Sequence, residues 1–250
     1  MNRENLMHEL DRPRSVGLSI PVWQAAAVLA GLRVAVNDPV RREDRDRGQH
    51  KNWLADIWGT IGELVALRGL NEITDLPVRH HPIEFDGSVD EVDLSLSATD
   101  GALPLEAKAH LLEPGKSWFM VNERARNRSM RRGAVGHLPV LSTLGGSRAL
   151  IGRMILSEQL EAWGAPDKPL VDPAVGIKLV TLASQYFNQG LSQITAALSG
   201  AALIGRDELA GVAENAARDL SSWRTLLPPL ADRPAREVID IIQTLLRARA

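Results

Sequence analysis

The sequence predicts an α/β protein, a central mixed sheet flanked by helices and followed by an all-α extension at the C-terminal end. Three observations predict it. Apolar residues alternate at Val92, Leu94, Leu96 and Ala98, then again at Leu103, Leu105, Ala107 and Ala109, with Asp100-Gly101 between the runs. Such alternation around Asp-Gly is a strong hairpin signal. Two stretches before it, Ile20 to Val36 and Lys51 to Leu70, place apolar residues at helical spacing. Beyond Gly164, three prolines (Pro166, Pro169, Pro173) mark a linker, and three helical patterns follow. The expected segments are 1–45, an N-terminal helix and linker; 46–164, the core; and 165–250, the helical extension.

Residues Met1 to Ser15 are polar and read as loose. The first helix has Pro21 in its first turn, where the missing N–H costs nothing. Arg41 to Arg47 alternates basic and acidic residues and reads as a solvated linker. In the second helix Leu54, Ile57, Trp58, Ile61 and Val65 form a stripe, with Glu63 off it and Gly59 and Gly62 offering close approach. Val78 to Phe85 reads as the first strand, and its adjacent His80 and His81 point to opposite faces. After the hairpin, a helix is expected from Trp118 or Phe119 to Arg132, then a buried strand at Leu138 to Leu144 and another at Ala149 to Leu156. Gly145-Gly146 precedes no Gly-Lys-Ser/Thr, so a phosphate loop is rejected there. The last helices are expected at Ala174–Leu198, Asp207–Leu227 and Pro234–Arg249.

Composition narrows the function classes. The 250 residues are 44% hydrophobic and 24% charged, normal for a globular protein. There is no cysteine, which excludes disulfides and thiolate metal sites. The polar, acid-containing start does not read as a signal peptide, and no apolar run approaches a membrane span, so a cytoplasmic protein without membrane partners is expected. The net charge of −2 means that any nucleic-acid role needs a local patch. One exists: Lys116, Arg124, Arg126, Arg128, Arg131 and Arg132 against Glu123 give +5. With Asn122, these seven are the candidate nucleic-acid contacts.

A hairpin centred on Asp100-Gly101 pairs residues whose numbers sum to 201, so Asp93 faces Lys108 and Ser95 faces Glu106. Strand side chains alternate, which puts Glu106 and Lys108 on one face with Asp93 in diagonal reach. Two carboxylates and an ammonium on one patch suit a metal-dependent phosphodiesterase. Hard oxygen donors fit Mg²⁺, which polarises phosphate and activates water, while a lysine orients the nucleophile.

Asp93 followed by Glu106-Ala-Lys108 on the next strand resembles the motif of the PD-(D/E)xK nucleases, the restriction-endonuclease-like superfamily. Gly59-Thr-Ile-Gly-Glu63-Leu-Val-Ala66 resembles the first helix of its Holliday-resolvase-like and Mrr-like branches, which often bears an extra metal-associated glutamate. The likeness covers roughly Trp53 to Leu144, and Val92 stands where the proline before the first acid is usual. Of five lysines, only Lys108 has an acid two positions before it. The resemblance implies a restriction-endonuclease-like core. Asp93, Glu106 and Glu63 would be associated with Mg²⁺ (Mn²⁺ able to substitute), Lys108 would position water, and the arginine-rich segment would lie by the substrate. DNA is the implied substrate, in phage defence, restriction or repair. A catalytically silent nuclease-fold binding subunit and an RNA-cleaving effector are the rival readings. The C-terminal helices are expected to serve as a cap, a homodimer interface or the surface for a defence-complex partner.

Overall fold

The computed structural model describes residues 2–37, 49–72, 78–80, 93–166, 173–226, 240–242 and 244. In chain order the elements are α1 (Arg3–Leu10), β1 (Arg14–Gly17), α2 (Ile20–Asn37), α3 (Gln49–Asn71), β2 (Val78–His80), β3 (Leu94–Ala98) and β4 (Gly101–Leu111). Then come β5 (Trp118–Asn122), α4 (Glu123–Arg131), β6 (Gly136–Ser142), β7 (Arg148–Ile151), β8 (Ile155–Leu156) and a 3-10 turn at Gln159–Ala162. Last are β9 (Ala174–Lys178), α5 (Leu179–Phe187), α6 (Leu191–Leu198), α7 (Arg206–Arg218) and α8 (Leu220–Leu226). The class is α/β: a curled mixed sheet with helices against it. The main sheet runs β1-β7-β6-β4-β3-β2, with β8 also paired to β6, while β5 and β9 form a separate antiparallel pair. Among the described strands of this sheet, only β4 and β6 pair in parallel. A parallel pair needs a crossover, and β5 with α4 supplies it.

Consecutive strand residues point to opposite faces, so the sheet carries two cores. In β6, Val140 joins the core beneath α2, α3 and α7, while Leu141 joins the one beneath β5, β9, α5 and α6. β3 and β4 contribute Leu94, Leu96, Leu103 and Leu105 to the first, all fully buried. Gly62 seats α3 on β4: a Cβ there would stand 2.7 Å from the Ala109 Cβ. The second core centres on Phe119, Val121, Leu182 and Phe187.

Several elements differ from expectation. The N-terminal stretch is ordered: Asn2 caps α1, Leu6 and Leu10 are buried, and β1 pairs with β7. The helix expected from Trp118 begins only at Glu123, because Trp-Phe-Met-Val alternates partly buried and buried side chains as a strand does. Asn122 then ends the strand and caps α4, its side-chain oxygen accepting from the Ala125 N–H at 3.1 Å. Ala174–Leu198 is β9, α5 and α6, because β9 pairs with β5 and Asn188 takes a left-handed φ of 55° that closes α5. Asp207–Leu227 is two helices broken at Asp219. The strand expected at Ala149–Leu156 is split into β7 and β8. The extension expected to be all-α therefore contains a strand, and its α7 buries Leu209, Ala210, Ala213 and Ala216 in the same core as α2 and α3. Arg41 to Arg47, His81 to Phe85 and most of Pro234–Arg249 lie outside the described residues.

The hairpin register is 199 rather than 201: Leu94 faces Leu105 and Ala98 faces Gly101, leaving Thr99-Asp100 as the loop. The reason is conformational. A tight loop on Asp100-Gly101 asks for positive φ at Asp100, which a side chain resists. The chain instead keeps φ negative at Thr99 and Asp100 and places Gly101 at +126°. A shift of two preserves every face.

Candidate active site

β4 is paired to β3 only as far as Leu105, opposite Leu94; beyond it the strands part while β6 continues on the other side. Parting frees the β4 backbone N–H of Ala107, and Asp93 Oδ2 accepts it at 2.9 Å. Continued one step, the register sets Asp93 opposite Glu106, not Lys108. The Glu106 carboxyl lies close enough to act on that of Asp93. Lys108 lies on the same face and is attracted by both.

The electrostatics follow from burial and crowding. Burial pushes the Asp93 carboxyl well above the usual carboxylate range; Glu63 and Glu106 push it further, and Arg33 opposes them. Burial lowers the Lys108 ammonium, against the pull of Asp93 and Glu106. Glu63 itself is 4% exposed, and both its oxygens are on the Arg33 guanidinium: Nη1 donates to Oε1 at 2.7 Å and Nη2 to Oε2 at 2.6 Å. Burial alone would lower Arg33, but Glu63 outweighs it and holds the guanidinium above its ordinary value. Among the described residues, no three His, Cys, Asp or Glu side chains gather as a metal cage.

The parallel pairing of β4 with β6 adds His137, in register with Glu106 and therefore on its face. The ring is buried and its Nδ1 has no hydrogen-bond partner among the described residues. Burial, then Lys108, then Arg126 bring its pKa to about 4. His110 continues the face toward the second core, its ring 6.0 Å from that of Phe119.

The proposed nucleic-acid contacts are spread. Arg126 is half-buried, hydrogen-bonds Asn127 and is close enough to His137 to repel its proton. Arg128 and Arg132 are half-buried and Arg131 is exposed; the Arg124 side chain lies outside the described set. Lys116 sits 2.8 Å from Glu113 and 4.9 Å over the Trp58 ring, apart from α4. Asn122 spends its side-chain oxygen on the helix cap.

Two residues here were not anticipated. Arg33 is the only charged residue in α2, and a lone arginine in an apolar helix is a signal that its charge is matched elsewhere. His137 carries no such signal: only the β4–β6 register brings it to the site. Comparison with protein-family models, with characterised proteins and with solved structures returns no match for the chain.

Proposed function

We propose that the chain is a metal-dependent phosphodiesterase of nucleic acid, DNA in the first place, built on a restriction-endonuclease-like core. The supporting observation is the meeting of Asp93 and Glu106 where β3 leaves β4, with the Lys108 amine on the same face. The donor set fits Mg²⁺ or Mn²⁺, which take one or two carboxylates and leave the remaining positions to water and phosphate. Asp93 and Glu106 would hold the ion. When bound it supplies charge against the phosphoryl oxygens and a water acidified toward neutrality. Crowding supports this use, since burial, Glu63 and Glu106 all disfavour the Asp93 anion, which a bound cation would stabilise.

Lys108 Nζ donates to the attacking water or to a phosphate oxygen, orienting the one and neutralising the other. His137, neutral at physiological pH, lies beside Glu106 without adding charge that would compete for the cation. The guanidinium groups of α4 reach phosphates flanking the scissile one and set the strand's position.

The experiment is incubation of labelled DNA duplex, single-stranded DNA and RNA with Mg²⁺ or Mn²⁺. Wild type is expected to cut DNA. Asp93→Ala and Lys108→Ala are expected to lose cleavage by about two to four orders of magnitude while remaining folded, since neither side chain fills a core. Wild-type rates in either variant would overturn the mechanism. Cleavage of RNA alone would move the substrate class, and binding without cleavage would leave a recognition module.

A further inference from the structure

We propose that Arg33 limits this site to a single divalent cation, by holding both oxygens of Glu63 where a second ion would otherwise be required. The inference rests on the phosphodiesterase reading and concerns the number of ions, which that reading leaves open.

Geometry comes first. The guanidinium and carboxylate meet fork to fork, at 2.7 Å and 2.6 Å, with a further hydrogen bond at 3.2 Å from Arg33 Nη1 to Thr60 Oγ1. Thr60 is fully buried and Glu63 nearly so. Bidentate pairing takes both carboxylate oxygens and fixes their direction. A guanidinium keeps its charge at any working pH, so this neutralisation is permanent.

Charge comes second. Asp93 is the shared member: Glu63 and Glu106 both act on it, Arg33 acts on Asp93 and Glu63, and Lys108 acts on Asp93 and Glu106. Counting Asp93 with the groups that act on it or that it acts on, three ionised carboxylates against Arg33 and Lys108 leave one negative charge; Asp56 acts on Arg33 and is not in that count. One divalent cation and one bound phosphodiester then bring the site to neutrality. Without Arg33 the same site would stay negative with one ion and substrate in place, and a second ion would become favourable. Arg33 thus supplies from α2 the positive charge that a second metal would bring, and Glu63 balances the site rather than ligating the ion.

The test is Mn²⁺ binding near neutral pH, by calorimetry and by electron paramagnetic resonance of the free ion. Three proteins are compared: wild type, Arg33→Met, and the charge-balanced double variant Arg33→Met/Glu63→Gln. Wild type should bind one ion. The double variant should also bind one, with affinity within about threefold of wild type, because it removes one charge of each sign and so keeps the charge count. Arg33→Met alone should take up a second ion or bind the first about tenfold tighter or more, about 1.4 kcal/mol. If that single variant fails to fold, the double variant decides. Two ions on wild type, or a loss beyond about tenfold in the double variant, would overturn the inference and make Glu63 a ligand. No Mn²⁺ on wild type would sink the phosphodiesterase reading itself, a result distinct from either.

Discussion

His137 shows at the residue scale how the site couples to stability. A histidine in an unfolded chain takes its proton near pH 6.5, whereas here burial, Lys108 and Arg126 lower the pKa to about 4. Between these values the unfolded chain binds more protons than the folded one, so stability rises with pH across the window. The contribution is fully present above about pH 6.5 and lost as pH falls to about 4, roughly 3 kcal/mol in all. Urea midpoints of wild type should therefore climb through this range, and those of His137→Gln should climb less. Equal slopes in the two proteins would mean that the ring titrates normally and is not enclosed by Lys108 and Arg126.

At the scale of elements, α3 and α4 do different work. α3 must lie against β4 for Glu63 to approach Asp93, and Gly62 is where it touches. A Cβ at Gly62 would meet the Ala109 Cβ at 2.7 Å and its backbone nitrogen at 3.3 Å, whereas one at Gly59 meets nothing within 4 Å among the described residues. Gly59→Ala should thus gain helix propensity, up to about 1 kcal/mol. Gly62→Ala should lose about 1–3 kcal/mol to overpacking, less that gain. Thermal denaturation of the two variants checks this, and equal midpoints would show that the helix sits farther from the strand. α4 presents Arg126 half-buried and Arg131 exposed. If it lines the substrate groove, replacing both should weaken binding of all sequences alike and flatten the salt dependence by about one to two units. Binding of a labelled duplex over a salt series, with Ca²⁺ to suppress cleavage, measures it; an unchanged slope would make the arginines a solvated face.

On the scale of the whole molecule, the C-terminal half is part of the core and not an appendage to it. Ile204, Leu209, Ala213, Ala216 and Trp223 are buried with Leu29 and Leu32 of α2 and Ile61 and Leu64 of α3. β9 is the sole described partner of β5. Cutting after Gly164, where composition changes, would expose the faces of α2 and β5 together. The fragment 1–164 is expected to show no cooperative thermal transition, while the full chain shows one. A cooperative transition in the fragment would restore the boundary and make α7 a separable cap. No helix among the described residues is long and apolar enough to cross a membrane.

What the sequence determined by itself was local. Helical spacing marked α2 and α3, because a buried stripe must repeat with the helix turn. Alternation marked the hairpin and put Asp93, Glu106 and Lys108 on one face, since parity along a strand survives any even shift of register. What the tertiary structure decided was partnership. The offset of two in the hairpin avoids the positive φ that the other register would ask of Asp100 and places it on Gly101, which the apolar pattern does not record. Trp118–Asn122 and Ala174–Lys178 are strands because each completes the other, more than fifty residues apart in the chain. Asn122 reads as a polar contact in the sequence, and only the fold shows its oxygen closing a helix. Arg33 meets Glu63, and His137 meets the Glu106 face, through the packing of α2 on α3 and the pairing of β6 with β4. Periodicity tells each residue which way to face; only long-range packing, which repays the entropy of closing large loops, tells it what it will face.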